Sequence, residues 1–240
     1  MDFSSFSPDL LAFSKSRNPG KPPHLGTRYD RAGRFLLEPG NTIICHVTRG
    51  SKTMEALVEA RETYLAMPEA TQFAFTPVES LHMTLFQGII EYRRRPAYWP
   101  SSVALDTPIA EMTEIMRERL ARFEIREPFR VEVTGARPSG LLVDGKTSAD
   151  RAAMRAWRDA LAEWLGYRHP DHDTYPFHIT FDYPIERLED EALPRWQAML
   201  DAVGGDLRGR LPVLELDPPA FCSFEDMKHF RELLVFDASP

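Results

Sequence analysis

The sequence predicts an α+β fold with antiparallel strands, on three observations. Segments of strand and helix pattern follow one another in mixed order, neither in strict βαβ alternation nor as an all-β series. Strand-plus-helix units recur in both halves without a short tandem repeat, which permits two related lobes. Twenty prolines and thirteen glycines in 240 residues divide the chain into many short elements.

Residues 1–40 hold Pro8, Asn18-Pro19-Gly20, Pro22-Pro23 and Pro39-Gly40 with little apolar periodicity. They are expected to form an irregular N-terminal arm lying on the body, and residues 41–240 a single two-lobed domain. The β-branched run 41–48 predicts a strand. Residues 51–67 predict a helix with Met54, Leu57, Val58 and Leu65 on its inner face, stopped by Pro68. Short strands follow at 72–76 and 81–87, then a long loop over 88–106. Thr107 and Pro108 predict a helix start, with Thr107 as N-cap and Pro108 in the first turn. Ile109, Met112, Met116, Leu120 and Phe123 then recur at helical spacing. Residues 129–134 and 140–144 predict a hairpin. Residues 148–165 predict a helix with Met154, Trp157, Leu161, Trp164 and Leu165 on one face and Gly166 ending it. A polar loop over 167–176 leads to a strand over 177–183. A helix over 188–203 is expected to end at Gly204-Gly205. Strands at 211–216, 220–224 and 233–237 complete the prediction.

A formal charge of −7 argues against a long nucleic-acid partner, because neutralising a phosphate backbone needs basic excess. A small phosphate ester needs only a local site. Cys45 and Cys222 sit in apolar runs and read as buried thiols, not a disulfide scaffold. The N-terminus lacks a basic flank with an apolar stretch, and no apolar run reaches membrane-spanning length. The expectation is a soluble, cytoplasmic monomer with no membrane partner.

The informative feature is a matched pair. Leu81-His82-Met83-Thr84-Leu85 and Phe177-His178-Ile179-Thr180-Phe181 each place a His and a Thr two positions apart inside an apolar frame. Alternate residues of a strand share a face, so each segment presents an imidazole and a hydroxyl side by side while its apolar residues enter a core. Composition alone yields well under one such framed motif in a chain of this kind. Cys45-His46-Val47-Thr48 repeats the spacing without the frame, which leaves His46 as an auxiliary on a neighbouring strand or a structural residue.

Two framed His-x-Thr motifs, one in each half and 96 residues apart, resemble the signature of the 2H phosphoesterase superfamily. That superfamily includes bacterial 2′-5′ RNA ligase-like proteins and cyclic nucleotide phosphodiesterases. The whole chain looks like a bacterial-type branch with an N-terminal extension. The resemblance implies two pseudo-symmetric lobes whose antiparallel sheets face a central groove, with helices outside. It carries His82 and His178 as catalytic residues and Thr84 and Thr180 as phosphate-binding residues. The chemistry agrees: one neutral imidazole takes a proton from the attacking oxygen, and the opposed imidazolium protonates the leaving oxygen. The threonine hydroxyls donate to the nonbridging oxygens. No metal or other cofactor is required. The expected substrate is a cyclic phosphodiester of a nucleotide or a short RNA end. The alternatives are a non-catalytic nucleotide- or phosphate-binding module and RNA 2′-5′ ligation or RNA-end processing.

Other clusters are less specific. Residues 169–173 (His169, Asp171, His172 and Asp173) contain metal-ligand types in one loop, but a hydrated loop is the plainer reading. Arg93, Arg94 and Arg95 could hold a phosphate with Tyr98 or Trp99 stacking on a base, against a solvated charge run with an aromatic anchor. Tyr175 and Tyr183 read as packing residues. No phosphate-binding glycine loop or serine nucleophile elbow is present.

Overall fold

The computed structural model describes residues 3–124 and 126–237. Helix α1 (Pro8–Leu11) is followed by strand β1 (Gly40–His46), helix α2 (Lys52–Leu65), β2 (Phe73–Phe75) and β3 (His82–Phe86). Helix α3 (Ile109–Leu120) leads to the hairpin β4 (Val131–Arg137) and β5 (Gly140–Gly145), and then to α4 (Ser148–Leu165). Strands β6 (His178–Thr180) and β7 (Asp182–Pro184), helix α5 (Leu193–Arg210), β8 (Ala220–Phe224) and β9 (Arg231–Val235) complete the chain.

Seven strands form one sheet in the order β4-β5-β6-β3-β1-β8-β9, and every pairing is antiparallel. The predicted α+β class is therefore the observed one. The halves containing the two motifs meet edge to edge where β3 pairs with β6 at Met83 and Ile179. Alternation assigns the faces. Cys45, Met83, Leu141 and Ile179 are buried in a core beneath α2, α4 and α5, while Ile43, Leu85 and Phe221 join Met112, Met116, Trp157 and Leu161 beneath α3 and α4. The opposite face carries the motif histidines and threonines, and a groove runs over the seam.

The N-terminal segment is tied to the body. Leu10 and Tyr29 are buried, Tyr29 Oη donates to the Pro184 carbonyl at 2.6 Å, and Ser14 Oγ donates to Asp190 Oδ1 at 2.6 Å. Cys45 and Cys222 are buried free thiols. No helix among the described residues is long and apolar enough to cross a membrane.

Several elements depart from expectation. The inner face of α2 is Thr53, Ala56, Leu57, Ala60 and Tyr64, and Leu65 is exposed. Small alanines let α2 approach α5, and Tyr64 buries its ring while its hydroxyl reaches the Arg137 and Gly140 carbonyls. Pro108 occupies the N-cap position of α3, with extended backbone, and Thr107 makes no capping bond. In contrast, α4 spans the expected residues, with a Thr147–Asp150 capping box and Gly166 left-handed at φ 79°. Trp164 of its expected inner face is partly exposed.

The expected strand 177–183 breaks at Phe181, because Asp182–Pro184 leaves the large sheet to pair with β2. Helix α5 does not end at Gly204-Gly205 but continues to Arg210. At Gly204 an added Cβ would lie 3.3 Å from the Ala136 nitrogen, so the missing side chain lets α5 pack closely on β4. Residues 211–216 form no strand. Leu211 and Leu214 are buried, and the Leu214 and Glu215 backbone instead bonds to the ends of β4 and β1, with one isolated bridge between Val47 and Leu216.

Gly140 is the close approach beside the second motif. Its φ is +130°, and an added Cβ would lie 2.2 Å from the Ile179 carbonyl. Gly140→Ala should therefore cost about 3 kcal/mol. Gly205, within α5 and facing open space, should gain roughly 0.5–1 kcal/mol as alanine. Urea denaturation reads both, as a lowered midpoint for Gly140→Ala and a raised one for Gly205→Ala.

Candidate active site

The β3–β6 register crosses the two motifs. With Met83 opposite Ile179 in antiparallel strands, His82 comes opposite Thr180, and Thr84 opposite His178. Each imidazole thus stands beside the other motif's hydroxyl, and the histidines lie on a diagonal of about 7–8 Å, enough for a phosphate between them. All four residues line one groove of about 490 Å³, a size suited to a nucleotide-scale ligand.

Both imidazoles are oriented by the same device. His82 Nδ1 lies 2.6 Å from the Ser80 carbonyl, and His178 Nδ1 lies 2.8 Å from the Pro176 carbonyl. A carbonyl only accepts, so Nδ1 carries the proton in each ring. Nε2 is left as the exchangeable nitrogen of the neutral ring. The His82 ring also packs against Phe230, with centroids 4.3 Å apart.

Burial sets the protonation. His82 is lowered to about 4, chiefly by loss of solvent, with the Ser80 carbonyl opposing and His46 and His178 adding to the effect. His178 is lowered by burial, opposed by the Pro176 carbonyl, with Arg137 contributing. Both rings are neutral in the free protein at pH 7. An anion bound between them favours the protonated form.

His46 is on the neighbouring strand, paired in register with His82 at a ring separation of 6.4 Å. Its Nε2 points to Glu232 at 3.8 Å, and it lines a separate depression with Asp217 and His229 rather than the groove. Of the three arginines at 93–95, only Arg93 lines the groove. Arg94 is paired with Glu91 and lies over Trp99, which is buried and unavailable to stack on a base. At the 169–173 loop, His172 and Asp173 come together with Asp159 of α4, but Arg168 pairs with both carboxylates and fills the place of a cation. The loop is anchored rather than simply hydrated. Buried Arg158 donates to the Leu85 carbonyl at 2.7 Å and the His172 carbonyl at 3.1 Å, and His169 Nδ1 lies 2.6 Å from Gln87 Oε1.

Residues without a motif complete the groove. Arg137 and Ser139 enter from the β4–β5 turn, with Arg137 Nε donating to Ser139 Oγ at 3.1 Å. Tyr175 reaches the Thr84 hydroxyl and lies near the His178 ring, and Arg158 stacks over it at 4.7 Å. Asp182 continues the row His178, Thr180 along the chain. It is fully buried, neither carboxyl oxygen has a hydrogen-bond partner, and burial raises it well above the usual carboxylate range. The N-terminal segment supplies His24 and Arg28. The Arg137-Pro138-Ser139-Gly140 turn gives a hairpin signal but no sign that it faces a histidine 41 residues later.

A family model described as 2H-phosphodiest, Domain of unknown function (DUF1868), matches residues 28–142, which include the first motif and stop before the second. Among solved structures, the conserved protein of unknown function ATU0111 from Agrobacterium tumefaciens str. C58 is 52% identical, covering 96% of this chain and 100% of that chain, with a TM-score of 0.95. The chain belongs to the 2H phosphoesterase superfamily. No curated protein matches it. Membership in the 2H superfamily supports a phosphodiesterase-like activity in general, and the groove is where the chain's paired imidazoles converge.

The same burial makes stability fall in acid. A histidine whose folded pKa is lowered is protonated first in the unfolded chain, so stability present above about 6.5 is lost as pH falls toward the folded value. His24 and His82 are both lowered to about 4, and His46, His169, His172 and His178 are also lowered. Raised Asp182 acts in the opposite sense. The urea midpoint should drop between pH 7 and pH 5, and the drop should steepen in Asp182→Asn. A midpoint flat over that range in both proteins would contradict the assignment.

Proposed function

We propose that the protein is a metal-independent phosphodiesterase that hydrolyses a cyclic phosphodiester of a nucleotide or of a short RNA end. The observation that supports this reading is the symmetric presentation of two Nε2 atoms. Each belongs to a ring held at Nδ1 by the carbonyl two residues before it, and each lies on one of two adjoining strands opposite the other motif's threonine.

One neutral Nε2 accepts a proton from water as the water oxygen bonds to phosphorus. The bond from phosphorus to one ribose oxygen breaks, and that oxygen takes a proton from Nε2–H of the other ring. The product is a phosphomonoester with a freed ribose hydroxyl, and the protons balance between the rings. Thr84, Thr180 and the Arg137 guanidinium offset charge on the nonbridging oxygens. Imidazoles move the protons and hydroxyl and guanidinium donors carry the charge, so the reaction calls on no metal. A site that only bound phosphate would gain little from two imidazoles with the same fixed tautomer.

Hydrolysis of 2′,3′-cyclic nucleotides should persist in EDTA. His82→Ala and His178→Ala should each lower kcat by about 10²–10⁴-fold, and full activity in both would overturn the reading. Because His82 titrates at about 4 and His178 below its ordinary value, kcat/KM should peak on the acid side of pH 6.5. A pH–rate profile rising into the alkaline range contradicts this.

A further inference from the structure

The end of the groove beyond Thr84 holds groups that the proton transfers do not use. His24 and Arg28 reach it from the N-terminal segment, and Arg93 from the turn after β3. Thr42, Gln87 and Gly88 line the same end. Arg28 Nε is paired with Glu38 Oε2 at 2.5 Å, and its guanidinium lies over the Tyr183 ring. Among the described residues no carboxylate pairs directly with Arg93, and Asp171 acts on it only through space. Its Nη2 donates to the Gly88 carbonyl at 3.1 Å, its guanidinium lies 4.8 Å from the Tyr98 centroid, and its buried Nε meets no acceptor. Glu91, two residues away, is held by Arg94.

A partly buried guanidinium with no carboxylate in contact is poorly compensated, and the nearby Arg28 makes it more so. A phosphate relieves both, since guanidinium donors match its oxygens in geometry and charge. His24, lowered to about 4 by burial and by Arg28 and Arg93, remains a neutral hydrogen-bonding group there at pH 7.

We infer that this end of the groove binds a second phosphate of the substrate, apart from the reacting one, so that the preferred substrate is a nucleotide carrying a remote phosphomonoester; this rests on the cyclic-phosphodiester reading above. Gln87 lies three residues past Thr84, which places the second anion roughly 10 Å along the strand. A sugar ring with a phosphate arm at each end bridges that order of distance.

The test compares adenosine 2′,3′-cyclic phosphate with its 5′-phosphorylated counterpart. Affinities for both are measured calorimetrically in His178→Ala, with Arg93 retained or replaced, and turnover of both is measured in the unmodified protein. With Arg93 in place, the 5′-phosphorylated ligand should bind about ten-fold tighter or more. In Arg93→Gln the ratio should collapse toward one. Arg93→Lys, which keeps the charge, should retain part of it, separating loss of charge from loss of shape. Equal affinities with Arg93 present overturn the second phosphate site, even if both compounds are hydrolysed. A ten-fold preference without hydrolysis of either compound supports that site and overturns the hydrolytic reading instead.

Discussion

Met83 and Ile179 pair across the seam between β3 and β6, and both are fully buried. Strand side chains alternate, so burying these two residues drives His82, Thr84, His178 and Thr180 together onto the opposite face. Slipping either strand by one residue would send its histidine into the core and an apolar residue into the groove. The hydrophobic cost of that slip is what holds the site in register. Gly140 contributes by allowing β5 to come close beside Thr180, as the β5–β6 pairing requires.

The same burial determines the groove's electrostatics. It keeps both motif imidazoles neutral, fixes their tautomers through backbone carbonyls, and leaves Asp182 without a polar partner. Against these stand Arg28, Arg93 and Arg137 along one groove of a chain whose net charge is −7. Basic side chains are therefore gathered in the groove although the chain as a whole is acidic.

Local signals hold where one residue type decides the backbone. Helix α4 spans the expected residues and ends at Gly166 as expected, because a left-handed glycine acts within a turn of its own position; its Thr147–Asp150 capping box lay in the sequence as an unused signal. The signals mislead where packing outweighs them. Gly204-Gly205 reads as a helix stop, yet close contact with β4 carries the helix past it. The apolar residues of 211–216 read as a strand, yet they are buried by a segment that crosses strand ends. On α2 the bulky residues suggested one face, while alanines and Tyr64 form the buried one.

By itself the sequence determined the α+β class, the four motif residues and the face each would share, because alternation within a strand is a property of the local chain. Only the tertiary structure decided that the motifs adjoin in crossed register, that their Nδ1 atoms are held by backbone carbonyls, and that Arg137, Tyr175, Asp182, His24, Arg28 and Arg93 meet them in one groove. Those residues come from separate turns and from the N-terminal segment. Their proximity follows from how the sheet edges join and how that segment packs, and no local pattern of residues encodes it.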